Sequence, residues 1–381
     1  MKKVGIITVH RLPNWGSVLQ AYALQKIISK LGFDVENIDY KYPNEFHWAR
    51  GKKWGKKKSP SLRFFVKTIK DEIFYLLHLK ARPQMQLLNY FVDRNMKLSR
   101  EYSDFDVLHK FPPAYDIYVS GSDQIWNPNT MLGDTSYMLD FAPEEAKKVA
   151  YSSSFSCRYI PNDKISVYKK FLNRYDAISV RENNGRKIIR ELLDRDAKVV
   201  LDPTLLLNGD NWREISAEAH TVKLPSQYIL CYMLAYTFSA DEPMNIILKR
   251  VQKTYDLPII FLKNTPNGFD GRKYELPQNY NIGVPEFLYL IQNASIVVSS
   301  SFHGVAFAIN FGRPLIALAK ENEDDRVSTL LNNLDIAEDV LVMTSEVEEK
   351  AFNPFYDVLL EQTILNNLRE ISIAYLKNNL K

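Results

Sequence analysis

The chain has 381 residues, of which 46% are apolar and 25% charged, as in ordinary globular proteins, and this length predicts two or three domains. Its two cysteines, Cys157 and Cys231, have no paired spacing, which argues against a disulfide framework or a structural zinc site and indicates a reducing, cytoplasmic location. The net charge is only +4, and no apolar run reaches the length of a membrane span. The first apolar run stops at His10-Arg11, which predicts a β-strand rather than a secretory signal.

The first half of the chain alternates short apolar runs with longer helical periods, a pattern typical of parallel α/β layering. We predict strands at 4–9, 35–40, 115–121, 149–154, 177–180 and 198–201. We predict helices at 18–31, 61–79, 84–96, 163–175 and 186–193. The polar, irregular stretch at 207–225 predicts a break between an N-terminal domain, 1–207, and a C-terminal domain, 208–381.

A basic block lies at 41–82, inside the predicted N-terminal domain. It holds twelve Lys and Arg residues against three acids, a net charge of +9, and aromatic residues such as Trp48, Trp54 and Phe64 are interleaved with them. Such a composition can seat a segment on an anionic membrane surface, which predicts a peripheral membrane contact through 41–82. The alternative is a solvated insertion whose aromatic side chains pack on the main domain. No nucleic-acid module surrounds the block, so we expect no nucleic-acid partner.

The second half repeats the α/β pattern. We predict strands at 228–234, 259–262, 295–301, 315–318 and 340–343, and helices at 243–255, 285–293, 305–311, 327–334 and 354–376, the last of which could pack back on the N-terminal domain. Two consecutive halves of this kind predict an α/β fold with two Rossmann-like domains facing each other across a cleft. Because ligands bind beyond the carboxyl ends of strands in such sheets, the loops that start at positions 10, 121, 152, 181, 202 and 301 are expected to meet there.

The first strand-to-helix junction reads Asn14-Trp15-Gly16-Ser17. Gly16 allows a tight turn, and Asn14 and Ser17 can either contact an anion or sugar from the helix start or simply cap the helix. The junction lacks the three glycines of a dinucleotide-binding loop, so we expect no NAD site, and no phosphate-binding loop of the Walker type occurs in the sequence.

The loop after the strand at 115–121 carries Asp123, Gln124 and Trp126. Asp123 and Gln124 can hydrogen-bond sugar hydroxyls, Trp126 offers a flat face to a sugar ring, and Asp123 could act as general base for a hydroxyl nucleophile. The alternative is a turn closed by the aspartate, with Trp126 in the core.

Cations and a histidine stand at other strand ends. Arg181 can grip a carboxylate or phosphate through two parallel hydrogen bonds, or pair with an internal acid; Arg326 offers the same two choices. His303-Gly304 follows a buried strand and Ser301, where the first turn of a helix favours an anion and a histidine can move a proton near neutral pH. The alternative is a histidine that merely caps its helix.

Five motifs occur in one succession: Asn-Trp-Gly-Ser-Val-Leu-Gln-Ala-Tyr-Ala-Leu at 14–24, Gly-Ser-Asp-Gln-Ile-Trp-Asn at 121–127, Ser-Val-Arg-Glu at 179–182, Asp-Pro-Thr at 202–204 and Ser-Phe-His-Gly at 301–304. This succession resembles the polysaccharide pyruvyl transferase family over nearly the whole chain. The resemblance implies a GT-B-like fold, with the acceptor on the N-terminal side and the donor on the C-terminal side. His303 matches the active-site histidine of the family and Arg181 its upstream arginine. Many members carry an arginine where this chain has Ser301.

The resemblance implies transfer of a pyruvyl group from phosphoenolpyruvate to a saccharide, forming a cyclic ketal. Under this hypothesis Arg181 holds one anionic group of the donor, Ser301 and the helix start at Gly304 hold its phosphate, His303 transfers a proton, and Asp123 activates the first hydroxyl. We expect no cofactor and no metal; a lipid-linked acceptor would fit the basic block.

Two alternatives to pyruvyl transfer stay open. One is a nucleotide-sugar-dependent glycosyltransferase with the same fold, which would release a nucleoside diphosphate instead of phosphate. The other is a non-catalytic module that docks assembly enzymes to a membrane through 41–82.

Overall fold

Two parallel sheets organise the chain. The computed structural model describes residues 1–41, 82–130, 134–234, 240–321 and 325–381. The predicted helix at 61–79 and nearly all of the basic block therefore lie outside the described residues.

Seven parallel strands form the first sheet, in the order β3-β2-β1-β4-β5-β6-β7. These strands are β1 (Lys3–Ile7), β2 (Asp34–Tyr40), β3 (Leu98–Tyr102), β4 (Ile117–Ser120), β5 (Lys147–Ser153), β6 (Ala177–Val180) and β7 (Lys198–Val199). The helices between and after them are α1 (Trp15–Lys30), α2 (Arg82–Asn95), α3 (Phe105–Lys110), α4 (Ile165–Leu172), α5 (Asn183–Leu193), α6 (Pro203–Leu206) and α7 (Gly209–Ser216). We call the first sheet and its helices the N-lobe.

Five parallel strands form the second sheet, in the order β12-β11-β10-β8-β9. These strands are β8 (Ile229–Tyr232), β9 (Ile259–Phe261), β10 (Ile296–Ser299), β11 (Leu315–Ala319) and β12 (Leu341–Met343). Their helices are α8 (Asp241–Tyr255), α9 (Val284–Gln292), α10 (Phe302–Asn310), α11 (Asp325–Asn333), α12 (Ala337–Val340) and α13 (Val358–Asn379). We call this sheet, with α8 to α12, the C-lobe.

The predicted fold class is confirmed: an α/β chain with two Rossmann-like parallel sheets in a GT-B-like arrangement. Central strands such as β4 and β10 are buried along their whole length, as parallel strands covered on both faces must be. The predicted domain boundary at 207/208 falls between β7, the last strand of the first sheet, and β8, the first strand of the second.

Apolar contacts join the two lobes beside the carboxyl ends of the strands. Trp15, the first residue of α1, stacks on Phe287 of α9 with ring centroids 5.0 Å apart, and its edge meets Tyr232 at 5.7 Å. The Trp15 Nε1 donates a hydrogen bond to the Ile282 carbonyl at 3.1 Å. The start of α1 is thereby fixed against the C-lobe, because burial of a tryptophan is one of the larger single gains in a core.

Helix α13 returns from the C-lobe to the N-lobe. Its Arg369 donates to the Leu205 carbonyl of the N-lobe and to Asn310 Oδ1 of the C-lobe, at 2.6 and 2.8 Å. Ser372 Oγ accepts a hydrogen bond from Leu201 N at 3.1 Å, and the Tyr375 hydroxyl donates to the Ala150 carbonyl at 3.0 Å. Helix α13 therefore packs against the first sheet at β5 and at the loop after β7.

The observed elements differ from the sequence prediction in several places. Strand β3 and helices α3, α6, α7 and α12 were not predicted, and α10 begins at Phe302 rather than at 305, so His303 lies inside the first helical turn. Ser301 fixes this start because its Oγ accepts from Gly304 N at 3.4 Å. Helix α7 starts from a capping box in which Asn208 and Asn211 exchange hydrogen bonds, within the stretch predicted to be irregular.

Candidate active site at the junction of the lobes

Polar side chains from three strand ends of the first sheet converge. Asp123 follows β4, Arg181 follows β6 and Asp202 follows β7, and these strands lie side by side with only β5 between β4 and β6. All three side chains are buried, with Arg181 only 3% exposed. The carboxyl ends of parallel strands share one sheet edge, which brings side chains up to 79 positions apart in the sequence into one cluster.

Asp202 is the common partner in this group. Its Oδ2 accepts hydrogen bonds from Arg181 Nη1 and from Ser122 Oγ, both at 2.8 Å, and lies 3.8 Å from His303 Nε2. Its Oδ1 accepts from the backbone N and the Oγ1 of Thr204, at 3.0 and 2.7 Å. Burial alone would raise the pKa of Asp202, but the charges of His303 and Arg181 outweigh it and hold this pKa well below the usual range. Asp202 is therefore ionised at every physiological pH.

Arg181 offers half of its hydrogen-bonding capacity to a ligand. Nη1 is taken by Asp202, whereas Nε and Nη2 find no hydrogen-bond partner among the described residues although both are buried. We call these two atoms the open guanidinium edge. The plane of the guanidinium lies over the Phe302 ring, 4.5 Å from its centroid, a cation–π contact that limits its rotation. Nε and Nη2 form the side of a guanidinium that binds a carboxylate or phosphate through two parallel hydrogen bonds.

Asp123 faces the open guanidinium edge from the other side. Its Oδ1 lies 3.7 Å from Arg181 Nη2, an ion-pair distance that is too long for a hydrogen bond. Its Oδ2 accepts a 2.6 Å hydrogen bond from Ser17 Oγ at the start of α1. The backbone of Asp123 has a φ of 72°, a left-handed conformation that residues other than glycine adopt at an energetic cost. Residues in such conformations cluster at functional sites.

His303 brings the C-lobe to the same point. Its Nε2 is buried and has no hydrogen-bond partner in the part of the chain that the structure describes. Its other side packs on Gly16 of α1 so closely that a Cβ on Gly16 would lie 2.0 Å from His303 Nδ1. Only glycine permits this approach. The imidazole, which is 6% exposed, is thus held between the starts of α1 and α10 and faces the Asp202 carboxylate.

A small pocket of about 30 Å³, partly open to solvent, adjoins this cluster on the side of α11 and α13. Its lining includes Arg181, Asp202, Phe302, Thr329, Asn333 and Ile371. His303 is not among the residues that line it.

The structure places the other predicted site residues in supporting positions. Asn14 caps α1, its Oδ1 accepting from Gly16 N at 2.9 Å, and Ser301 caps α10. Ser17 is committed to Asp123. Gly304 lies against β8 and β10, where a Cβ would be 2.3 Å from Ser299 Oγ, so its role is to allow helix and sheet to approach. None of these four has a free side-chain donor aimed at a ligand among the described residues.

Trp126 requires a correction. It was predicted to offer a ring face to a sugar, but its side chain is fully buried and packs against Phe155 and Tyr175 while Nε1 donates to the Tyr137 carbonyl at 3.1 Å. The alternative prediction, a core tryptophan beside an aspartate turn, describes it, and we exclude it from the proposed site.

Gln124 and Arg326 also lie beside the cluster rather than in it. The Gln124 Oε1 accepts from Asn127 Nδ2 at 3.2 Å, within its own loop. Arg326 is buried at the start of α11, and its charge, with that of Arg181, acts on the buried Glu182. Burial raises the pKa of Glu182, and the two arginines lower it in part. Arg326 thus fits the second of the two roles predicted for it, the counter-ion of an internal acid.

The sequence placed Asp202 at the start of a converging loop and in the Asp-Pro-Thr motif, and Ser122 in the motif at 121–127, but predicted no role for either side chain. The signals were present, since Asp-Pro-Thr is a helix-start pattern placed directly after a strand, and Ser122 precedes Asp123. Their place in the site follows from contacts in the folded chain: Asp202 accepts a hydrogen bond from Arg181, and Ser122 donates one to Asp202.

The described ranges contain no group of three or more His, Cys, Asp and Glu residues that could hold a metal ion. Within those ranges, none of the helices is both long and apolar enough to cross a membrane.

Comparisons with known proteins give one family and several distant structures. The family model described as polysaccharide pyruvyl transferase matches residues 14–322, most of the chain, and no curated protein matches. Among solved structures, the UDP-GlcNAc 2-epimerase from Methanocaldococcus jannaschii is 14% identical with a TM-score of 0.45, covering 97% of this chain and 99% of that chain. The E. coli heptosyltransferase WaaC with ADP is 10% identical with a TM-score of 0.42, covering 98% and 99%. Function is therefore inferred from the family and from the site geometry.

Proposed function

The chain belongs to the polysaccharide pyruvyl transferase family, and from this premise we propose that it transfers a pyruvyl group from phosphoenolpyruvate to a sugar of a polysaccharide or its precursor, forming a ketal. The match includes every motif of the candidate site, from Asn14 to Gly304.

One observation carries the proposal: buried donor atoms of two residues flank a single ionised carboxylate where the lobes meet. The open guanidinium edge belongs to the N-lobe and His303 Nε2 to the C-lobe, and both residues lie within 4 Å of Asp202 Oδ2. A buried donor without a partner is costly, so its persistence indicates a ligand that supplies the acceptor. A small anion that lay between them would supply an acceptor to both.

Phosphoenolpyruvate fits this requirement because it carries a carboxylate and a phosphate on one three-carbon unit. Under our proposal the open guanidinium edge of Arg181 binds one of these groups through two parallel hydrogen bonds. The first turn of α10 faces the other group, and its N–H dipoles favour an anion there. Ser301 contributes by fixing the start of that helix rather than by donating its hydroxyl.

The chemistry requires one proton to be delivered and two to be removed. His303 donates a proton to the methylene carbon of phosphoenolpyruvate, which leaves positive charge on the adjacent carbon. A sugar hydroxyl adds to that carbon and gives its proton to Asp123. A second hydroxyl then displaces phosphate from the same carbon, and its proton leaves with the phosphate as HPO4²⁻, while proton exchange with solvent deprotonates Asp123 and reprotonates His303. The products are the cyclic ketal and inorganic phosphate.

Asp123 suits the role of base because its two oxygens have different surroundings. Oδ2 is held by Ser17, while Oδ1 faces Arg181 Nη2 at 3.7 Å and accepts from its neighbour Gln124 N at 2.8 Å. Under our proposal a carboxylate oriented in this way receives the proton of a sugar hydroxyl beside the loop after β4, with the acceptor on the N-lobe.

A saccharide acceptor that is lipid-linked would bring the enzyme to a membrane surface. The basic block at 41–82 would then hold the protein on anionic lipid. This contact stays a prediction from the sequence, because the block lies outside the described residues apart from Lys41 and Arg82.

The test is transfer by the purified chain with phosphoenolpyruvate and a panel of sugars, followed by phosphate release and by the mass gain of a pyruvate ketal. His303→Ala should lower the rate by about 100- to 10,000-fold, as expected for loss of a general acid, with a melting curve close to that of the wild type. The matched control is His109→Ala. His109 also pairs with an aspartate, Asp140, at 2.7 Å, but lies outside the site, so its loss should leave the rate unchanged.

Three results would overturn the proposal: full activity in His303→Ala, no ketal with any sugar, or release of a nucleoside diphosphate from a nucleotide sugar. The last of these would instead support glycosyl transfer.

A further inference from the structure

The Asp202 carboxylate contacts side chains from every part of the site but is itself too enclosed to meet a substrate. It is 1% exposed, and its two oxygens accept four hydrogen bonds from Arg181, Ser122 and Thr204. A carboxylate with this many donors has little capacity left for a ligand. Its contribution must therefore act through the groups that it holds.

One oxygen of Asp202 fixes the orientation of the other. Oδ1 receives two hydrogen bonds from Thr204, because Asp202 is the N-cap of α6 and Pro203 occupies the first helical position. The carboxylate cannot rotate without breaking this cap. Oδ2 is consequently directed at Arg181 Nη1 and Ser122 Oγ.

Arg181 has a second carboxylate within reach. Asp123 Oδ1 lies 3.7 Å from Arg181 Nη2, so a small swing of the guanidinium would turn this approach into a direct ion pair. That ion pair would use the open guanidinium edge and at the same time neutralise the base. The 2.8 Å bond from Nη1 to Asp202, together with the Phe302 ring on the guanidinium face, opposes the swing.

We propose that Asp202 is a positioning residue that holds Arg181 apart from Asp123, so that the open guanidinium edge stays available to an anion and Asp123 to an acceptor hydroxyl. The identity of that anion rests on the proposed function; the competition between the two carboxylates for Arg181 does not.

The first arm of the test observes Arg181 directly, without a substrate. In the full chain labelled with ¹⁵N-arginine, the Arg181 guanidinium signals are assigned by their loss in Arg181→Lys. In the wild type, rotation about the Cζ–Nη1 bond should be slow. In Asp202→Asn, an amide nitrogen replaces one carboxylate oxygen. When the amide oxygen keeps the hydrogen bonds from Thr204, this nitrogen faces Arg181 Nη1 and cannot accept from it, so the Arg181 signals should shift and the rotation should accelerate. A crystal structure of the variant should show Arg181 hydrogen-bonded to Asp123.

The second arm measures binding of phosphoenolpyruvate and, separately, of inorganic phosphate by calorimetry. Asp202→Asn should weaken both by at least about tenfold, since a hydrogen bond to a charged group is lost and the edge is diverted. In an Arg181→Met background, Asp202→Asn should weaken binding no further, because its effect passes through Arg181. A residue that only stabilised the fold would give additive losses.

The matched control is Asp134→Asn. Asp134 is an equally buried aspartate that caps a helical turn, accepting from Ser136 N at 2.9 Å and from the Tyr40 hydroxyl at 2.6 Å, away from the site. Its replacement should lower the melting temperature without changing the Arg181 signals or anion binding.

Free rotation of Arg181 in the wild type, or unchanged signals in Asp202→Asn, would overturn the proposal, and the wild-type measurement decides even if the variant does not fold. Slow rotation in the wild type, lost in the variant, supports it. If the rotation were slow in the wild type and fast in Asp202→Asn, but the wild type bound neither phosphoenolpyruvate nor inorganic phosphate, the positioning role would stand and the proposed function would fail.

Discussion

Gly16→Ala should reduce catalysis far more than it reduces stability. The added Cβ would lie 2.0 Å from Nδ1 and 2.2 Å from Cγ of His303, whereas atoms in contact sit about 3.5–4.0 Å apart. The imidazole, or the start of one helix, must therefore move by more than about 1 Å. A displacement of this size at a reacting group can cost about 100-fold in rate, which is the loss of kcat that we expect.

The cost to folding should be small because two effects oppose each other. Alanine in a helix is favoured over glycine by about 1 kcal/mol, while the overpacking costs about 1–3 kcal/mol. We therefore expect Gly16→Ala to destabilise the fold by at most about 2 kcal/mol in denaturant unfolding.

The matched control is Gly185→Ala, also in the first turn of a helix, α5. There the nearest atoms, Glu182 Oε1 and Val180 Cβ, would be 3.2 Å from the new Cβ, which requires a shift of only a few tenths of an ångström. Its kcat should stay within about twofold of the wild type. The assay is phosphate release from phosphoenolpyruvate with the acceptor found in the sugar panel. A Gly16→Ala enzyme with wild-type kcat would refute the idea that the close contact between α1 and α10 sets the position of the imidazole.

Three further predictions follow from the described contacts and from the sequence. Arg181→Lys should raise the KM for phosphoenolpyruvate by about 10- to 100-fold, because an ammonium group cannot offer two parallel donors; an unchanged KM would remove the open guanidinium edge from the donor site. Burial raises the pKa of the Glu361 carboxyl group from its usual value of 4.5 to about 7. Between these two pH values the folded state keeps a proton that the unfolded chain has lost. Stability should fall by roughly 3 kcal/mol as the pH rises through this window, and urea unfolding of Glu361→Gln should lack that fall; parallel pH profiles would contradict the assignment. Replacing the lysines at 52, 53, 56, 57 and 58 by glutamate should abolish sedimentation with anionic vesicles, and equal binding by both proteins would argue for a solvated insertion.

Strong hydrophobic periodicity predicted most elements of the fold, and weak periodicity explains the omissions. Strand β3 has the sequence Leu98-Ser-Arg-Glu-Tyr102, in which only Tyr102 is buried, so this edge strand lacks the alternation that marks a half-buried strand. Helix α7 has only two large apolar residues, Trp212 and Ile215, and its start depends on a capping box rather than on an apolar stripe.

The site residues that could be predicted are those whose side-chain type and position at a strand end already indicate a chemical role. His303, Arg181 and Asp123 stand at strand ends and could be named from the sequence. Asp202 could not, because its local pattern predicts only a helix cap, and its contacts depend on the order β4-β5-β6-β7 in the sheet. Trp126 could not be assigned either, because the sequence around an aromatic residue in a polar loop does not indicate whether its ring is exposed or, as here, buried.

The return of the last helix to the first sheet has a consequence for biosynthesis. A ribosome releases β5 and the loop after β7 long before it makes Arg369, Ser372 and Tyr375, which supply hydrogen bonds to Leu205, Leu201 and Ala150. This part of the first sheet therefore leaves the ribosome before α13 can cover it. A stop codon placed before α13 would leave the strands described above in the chain but remove Arg369, Ser372 and Tyr375, so we expect the first sheet to be less stable without α13.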